Sequence, residues 1–443
     1  MKQSGHNYQK HRSTALESPG SEIKMKEIQR DIYLNKLIQR RENNSIKVIT
    51  GIRRAGKSYL LFKLYYDYLI SSGIEESRII RVALDDETHE ELLDGKRLGA
   101  YIRGQVKDQQ VYYIFLDEIQ LVSDFEKVLN GLNRLPNLDI YVTGSNSRFL
   151  STDVITEFRG RGDEVRVYPL CFAEFASVFE GDVHNAWKEY STYGGLPLIL
   201  TRKTDELKSK YLMDLFQYVY LADILERNAL ESPDIMDMLI NCLASAVGSL
   251  TNPRKLARTF TASGILQATD QTISRYIGCL MDAFLINKAE RYDIKGKKYI
   301  GAPSKYYFSD VGLRNARLNF RQQEENHILE NIIYNELLIR GFNVGVGIVE
   351  RMQPDEASGN KAEKLYEVDF VCNKASRRYY IQSAFAIPDR DKLRQETQSL
   401  LNIQDAFKKF ILVKDDIKPW QNEEGIIVMG ALDFLLNPNS LDY

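Results

Sequence analysis

Eight residues constrain this chain more than any others: Gly51-Ile-Arg-Arg-Ala-Gly56-Lys57-Ser58, directly after the apolar run Ile46 to Thr50 and ahead of a helical pattern. They satisfy G-x-x-x-x-G-K-S/T. Glycines in such a loop let the backbone fold around a phosphate so that successive N–H groups point at its oxygens, and the following helix contributes the positive end of its dipole. Lys57 is then expected to supply charge to the β- and γ-phosphates of ATP, and Ser58 a hydroxyl oxygen to Mg²⁺. Gly51, Arg53, Arg54, Ala55, Gly56 and Tyr59 complete the expected nucleotide contacts, although the side chains of Arg53 and Arg54 can also point away. A random chain of this length would carry the pattern only about once in 50 tries. Its strand-before, helix-after setting makes chance rarer still.

The flanking sequence alternates as an α/β domain does. Strand-length apolar runs at Ile46 to Thr50, Ile79 to Leu84, Val111 to Leu116 and Leu138 to Thr143 are separated by helical patterns at Ser58 to Ile70 and Phe125 to Leu135. That order predicts an α/β domain with a parallel sheet covered on both faces, which with the phosphate loop reads as a P-loop NTPase. The third run ends in Asp117-Glu118, placing two carboxylates at the carboxyl end of a parallel strand, where ligands bind in open α/β sheets. Asp117 is expected to hold the Mg²⁺ shell and Glu118 to orient or activate the attacking water, so hydrolysis is expected as well as binding. The run Ile79 to Leu84 between loop and Asp117 fits the P-loop branch in which an additional strand separates the two motifs.

Two further segments bear on turnover. Ser145 or Asn146, after Thr143, either places a polar group near the γ-phosphate or forms a turn. Arg159 and Arg161, in Phe158-Arg-Gly-Arg-Gly162, either stabilise charge on the transferred phosphoryl group, from a neighbouring subunit in a homo-oligomer, or form a solvated basic loop.

Composition narrows the rest. The 443 residues suggest about three domains, and 44% hydrophobic with 27% charged residues is an ordinary globular balance that excludes a fibrous or globally disordered chain. Lys plus Arg (59) nearly cancels Asp plus Glu (61), so any attraction to nucleic acid must come from a local patch. The four cysteines contain no CxxC pair, which disfavours a zinc site or a disulfide framework and fits a cytoplasmic protein. No apolar run approaches the ~18 residues of a spanning helix, and the polar start lacks the apolar core of a signal peptide. Residues 1–22 read as a flexible tail.

Four folded regions are expected beyond it: an ATPase domain over 23–190, a helical region over 191–252, a winged-helix-like region over 253–322 and a last α/β region over 323–443. In the third, Thr269 or Asp270 is a fair N-cap for Gln271 to Phe284, preceded by a short helix and turn, as in a helix-turn-helix. Arg275 on its exposed face, with Lys295, Lys297 and Lys298 in a basic hairpin around Gly296, are candidate phosphate contacts for DNA. The alternative is a protein-interaction module with merely solvated lysines.

These residues resemble a family of bacterial and archaeal AAA-type P-loop ATPases, whose G-x-R-R-x-G-K-S/T loop, L-D-E strand end and T-G-S turn are matched here. Arg159-Gly-Arg161, Pro169-Leu-Cys-Phe-Ala-Glu-Phe175, Tyr193-Gly-Gly-Leu-Pro197, Lys305-Tyr-Tyr-Phe-Ser-Asp310, Gly312-Leu-Arg-Asn315 and Glu367-Val-Asp-Phe370 continue the likeness over nearly the whole chain after the tail. The resemblance implies an AAA-like core, a winged-helix region and a carboxyl-terminal domain similar to restriction-endonuclease-like folds. A PD-(D/E)xK site needs carboxylates for a divalent metal and a lysine near the nucleophilic water. Glu330, Glu336 and Asp369 have the right order, yet Gln382 and Ala384 stand where Glu and Lys would, leaving Glu336 and Asp369 at best. A nuclease-like fold without cleavage, used for binding or assembly with an unknown protein partner, is therefore expected.

Overall fold

The computed structural model describes residues 27–144, 162–228, 230, 232–262, 268–321, 324–354, 361–387 and 390–443. The expected tail, and Ser145, Asn146, Arg159 and Arg161, lie outside the described residues.

Five strands, β1 (Ile46–Thr50), β2 (Ile79–Ala83), β3 (Tyr112–Asp117), β4 (Leu138–Thr143) and β5 (Gly162–Arg166), form one wholly parallel sheet in the order β2-β3-β4-β1-β5. β1, β3 and β4 are buried along their full length, which is why they read as continuous apolar runs. Successive residues still serve opposite faces. Tyr113, Phe115 and Tyr141 join one core with Tyr65, whereas Tyr112, Ile114, Leu116 and Val142 join the core on the other side. β4 is the strand between the phosphate-loop strand β1 and the Asp117 strand β3. Ile79–Ala83, the run expected to separate them, lies outside β3 because the chain crosses over before adding β4.

One ion pair in this sheet carried no sequence signal: the Lys47 ammonium, fully buried, meets Asp139. Tyr141 donates to Asp139 at 2.7 Å and shares a 2.6 Å hydrogen bond with Tyr65, so the charged groups are satisfied inside the core.

Helices Asp205–Asp214 and Pro233–Ser245 follow, the first running into a π-helical segment Leu215–Leu221 and then Ala222–Asn228. Pro253–Ala262 and Asp270–Asp282 form the expected helix pair, with the Thr269 hydroxyl accepting from Thr272 N at 3.1 Å as N-cap.

A second sheet collects β6 (Ile286–Asp293), β7 (Lys298–Phe308), β8 (Asn343–Pro354), β9 (Lys361–Lys374), β10 (Arg377–Ala384), β11 (Lys408–Val413), β12 (Trp420–Gln421) and β13 (Ile427–Gly430), ordered β12-β13-β11-β10-β9-β8-β6-β7. The basic hairpin β6–β7 pairs with β8 through Arg291, Tyr292 and Asp293, so it is the edge of this sheet. One ladder therefore crosses the 322/323 boundary expected from sequence.

Arg166 on β5 donates to Asn287 on β6 at 2.7 Å, and the residues after β7 pack on a glycine turn. Asp310, 2% exposed, accepts from Gly195 N at 2.7 Å and Leu313 N at 3.0 Å. Gly194 has φ +76°, and a Cβ there would stand 2.2 Å from Asp310 Oδ1, so only glycine fits. Burial raises the Asp310 carboxyl to about 6. All four cysteines are free thiols. No helix among the described residues is long and apolar enough to cross a membrane.

Candidate functional site

The phosphate loop leaves β1 through Gly51, whose φ is +134°. Val167 continues the β5 pairing by donating its N–H to Thr50 O at 2.8 Å, which presses its carbonyl within 2.0 Å of where a Gly51 Cβ would stand. The neighbouring strand thus excludes any side chain at the loop's first position. Gly56, at φ +92°, caps the helix that runs Lys57–Tyr59, Leu60–Tyr65 and Tyr66–Ser71, with Leu60–Tyr65 widened to π spacing.

Lys57 is 5% exposed, and its ammonium donates to Gly51 O at 3.0 Å and Ile52 O at 3.2 Å. Two carbonyl dipoles compensate a buried charge poorly. Burial lowers the group to about 8, partly offset by the charges of Glu118 and Asp117. Next to it the Ser58 hydroxyl hydrogen-bonds Asp117, which is buried at the end of β3 and raised above the ordinary carboxylate range by burial. A hydroxyl and a carboxylate side by side are hard oxygen donors, the set Mg²⁺ takes. The residues present fit that ion.

Thr143, at the end of β4, joins the two acidic positions. Its hydroxyl donates to Asp117 Oδ1 and accepts from Glu118 N at 3.0 Å. Because β4 lies between β1 and β3, its last residue lands between the loop and the carboxylates. Glu118 sits in the left-handed region (φ 49°, ψ 46°), a conformation costing about 1 kcal/mol or more for a residue with a side chain. Gln120 donates to its Oε2. The twist turns Glu118 out of the sheet and onto the wall of a cavity of about 660 Å³ that Lys57, Ser58 and Tyr59 also line.

The remaining loop positions divide. Ala55 is buried, and its carbonyl accepts from Arg30 Nη1 at 2.9 Å. Arg53 points toward the helical region: its guanidinium pairs with Asp223 at 3.0 Å, and its carbonyl accepts from the Tyr220 hydroxyl at 2.6 Å. Arg54 is exposed at φ 65° and faces the cavity. Arg30, 3% exposed, also pairs with Glu174 at 3.1 Å and donates to Tyr168 O at 2.7 Å, so one side chain joins the loop to the segment after β5. Arg30, Thr143 and Tyr220 escaped sequence reading. Only Thr143 left a usable trace, as the last residue of a strand whose carboxyl end faces the site.

The expected nucleic-acid contacts lie elsewhere. Lys295, Lys297 and Lys298 are exposed at the tip of the β6–β7 hairpin, and Arg275 is exposed but donates to Asn228 O at 3.3 Å. In the second sheet, the helix Glu325–Ile339 turns Glu330 toward Asp369, and Glu336 instead pairs with Arg340 at 2.7 Å. Six residues along a helix rotate the side chain by about 240°, so the two glutamates cannot share a face. The carboxylate near Asp369 is Glu330, not the expected Glu336.

Residues 43–176 match the family model of an AAA domain, and residues 184–324 match a domain of unknown function (DUF8612). An uncharacterized protein of Haemophilus influenzae is 35% identical over 415 residues, covering 92% of this chain and 98% of that one. The protein MJ1544 of Methanocaldococcus jannaschii is 28% identical over 390 residues, covering 84% and 80%. Among solved structures, the Walker-type ATPase PABY2304 of Pyrococcus abyssi aligns over 66% of this chain and 96% of its own, at 17% identity and a TM-score of 0.47.

Proposed function

For a chain that belongs to an AAA-type ATPase family, we propose that ATP is bound and hydrolysed at the loop Gly51 to Ser58, and that turnover drives conformational change in the regions that follow. One observation supports this: Lys57, Ser58 and Glu118 line a single cavity wide enough for a nucleotide, and Asp117 hydrogen-bonds Ser58 behind that wall. Lys57 exchanges two weak carbonyl partners for phosphate oxygens. Ser58 and Asp117 hold Mg²⁺, which when bound neutralises charge on the transferred phosphoryl group. Glu118 orients the attacking water and accepts its proton, and Thr143 holds the Asp117 carboxylate against the Glu118 main chain. Asn146 is proposed as a polar contact to the γ-phosphate, and Arg159 or Arg161 as a charge donor across a homo-oligomer interface.

Coupling has a physical route. Tyr220 and Asp223 grip Arg53, so a loop that closes on phosphate pulls on the helical region. Asp310 ties the second sheet to Gly195, two residues before Pro197 in the cavity wall. The division proposed is an ATPase domain over 23–190, a helical region over 191–252, a winged-helix-like region over 253–322 and a nuclease-like, non-cleaving domain over 323–443, the last two sharing one sheet. The test is ATP turnover and retention: Lys57→Ala should abolish both, whereas Glu118→Gln should retain ATP and slow hydrolysis. Normal turnover in Glu118→Gln would remove that carboxylate from the mechanism. Mixing Lys57→Ala with Arg161→Ala protein tests the subunit contact, since no mutual effect on turnover excludes a shared site.

A second reading, a nucleotide-gated DNA-binding protein with slow hydrolysis, is favoured by the three exposed lysines at one hairpin tip. Salt-dependent DNA retention lost on reversing Lys295, Lys297 and Lys298 to Glu would support it.

A further inference from the structure

Three segments far apart in sequence meet beneath β7. Lys305 on β7 places its ammonium 2.8 Å from Glu330 Oε1, 2.8 Å from Glu367 Oε1 and 3.1 Å from Asp369 Oδ1. The lysine side chain is 3% exposed, and the Glu330 and Asp369 side chains 12% and 10%. Tyr307 donates to Glu330 Oε1 at 2.6 Å, and Ser383 N donates to Asp369 Oδ2 at 2.9 Å. On the far side of Glu330, Gly248 packs so closely that a Cβ there would stand 2.8 Å from Oε2. Lys305, Glu330 and Asp369 are thus largely closed off from solvent, and Glu367, 36% exposed, forms the rim of the cluster.

Three carboxylates converging on one point is what a divalent ion requires. Here that point holds a nitrogen: the Lys305 ammonium donates to Glu330 and Asp369 and forms an ion pair with Glu367. The positions that would complete a cleaving site are taken otherwise. Gln382 is neutral and accepts from Asp369 N at 3.3 Å, and Ala384 carries no charge. Among the described residues, no group of three or more His, Cys, Asp or Glu is arranged to hold a metal ion. The divalent metal that a restriction-endonuclease-like fold implies therefore does not fit.

We propose that Lys305 is a tethered replacement for that metal: its ammonium gathers Glu330, Glu367 and Asp369 as the ion would, so the domain keeps its sheet and helix joined without a cation and without cleavage chemistry. The burial supports this, because removing one partner of a closed charge cluster leaves the others uncompensated. Lys305 also lies five residues before Asp310, so the same lock steadies the strand that reaches Gly195.

The inference deepens the non-cleaving reading of this domain and is independent of ATP turnover. The test is Mn²⁺ binding by electron paramagnetic resonance, with thermal melting, on nucleotide-free full-length protein. Wild type should bind no Mn²⁺ at this cluster and melt at the same temperature with or without it. Lys305→Ala, which leaves room for an ion, should melt lower, bind one Mn²⁺ where wild type binds none, and recover its melting temperature with the metal. Lys305→Met fills the space, so it should melt lower and recover nothing, and Lys305→Ala/Asp369→Asn should lose the Mn²⁺. If Lys305→Ala folds only when refolded with Mn²⁺, the proposal stands; if it folds but binds none, the proposal falls. Mn²⁺ binding by wild type that Asp369→Asn abolishes also overturns it. Mn²⁺-dependent DNA cutting by wild type, lost in Asp369→Asn, would sink the non-cleaving reading with it.

Discussion

Lys57 and Lys305 are both buried beside carboxylates, and their partners differ. Lys57 donates to two main-chain carbonyls and faces an open cavity of about 660 Å³. Lys305 donates to Glu330 and Asp369 and pairs by charge with Glu367 at the rim of its pocket. Burial lowers the first to about 8. For the second, burial also acts to lower it, but the charges of Asp369, Glu330 and Glu367 outweigh that and hold the ammonium protonated. An under-compensated cation next to empty space is built to receive an anion. A saturated cation has already replaced the ligand its carboxylates could hold.

The most direct way to break this contrast is Lys57→Ala. Turnover should fall by ~10³-fold, the size expected when a charge donor to the transition state is removed, with ATP retention lost. A folded Lys305→Ala protein should retain turnover within a few-fold in the same assay. Next in size, Glu118→Gln should slow hydrolysis ~10²-fold while leaving ATP affinity within a few-fold, measured by single-turnover kinetics.

Stability should separate the lysines by sign. With Lys57 at about 8 in the fold and ~10.4 in the unfolded chain, the unfolded state holds more protons across that interval, so stability rises with pH there. Relative to Lys57→Met, wild type should gain about 2 kcal/mol or more between pH ~8 and ~10 in chemical denaturation. Lys305→Met should instead be less stable than wild type at neutral pH. A Lys57→Met protein less stable than wild type at pH 7 would mean that the loop carbonyls compensate the charge after all. The smallest expected effect is at the hairpin tip: reversing Lys295, Lys297 and Lys298 should leave ATP turnover and melting nearly unchanged and, in filter binding, flatten the salt dependence of any DNA retention.

The first sheet was legible because its signal is local. β1 and β4 have the bounds read from their apolar runs, since strands buried on both faces show as unbroken hydrophobic stretches. The phosphate loop was legible for the same reason: its glycines, lysine and serine are consecutive. Arg30 and Tyr220 were not, because each reaches the loop from segments more than 20 and 160 residues away. The second sheet shows the limit more sharply. Its last two strands, β12 and β13, are too short to stand out in the sequence, the hairpin read as a separate wing is paired with β8, and Glu336 was preferred to Glu330 because chain order does not say which helix face turns inward.

What the sequence determined by itself is the chemistry that needs neighbours in the chain: a loop that can approach phosphate, and a strand that delivers Asp117 and Glu118 to the carboxyl end of a parallel sheet. Only the tertiary structure decided which groups meet across the fold, with Thr143 between the Asp117 carboxylate and the Glu118 amide, and Lys305 among three carboxylates. The reason is physical. Hydrogen bonds along a strand or helix follow from residues a few positions apart, whereas whether a buried charge is satisfied depends on atoms that come together only when distant segments pack.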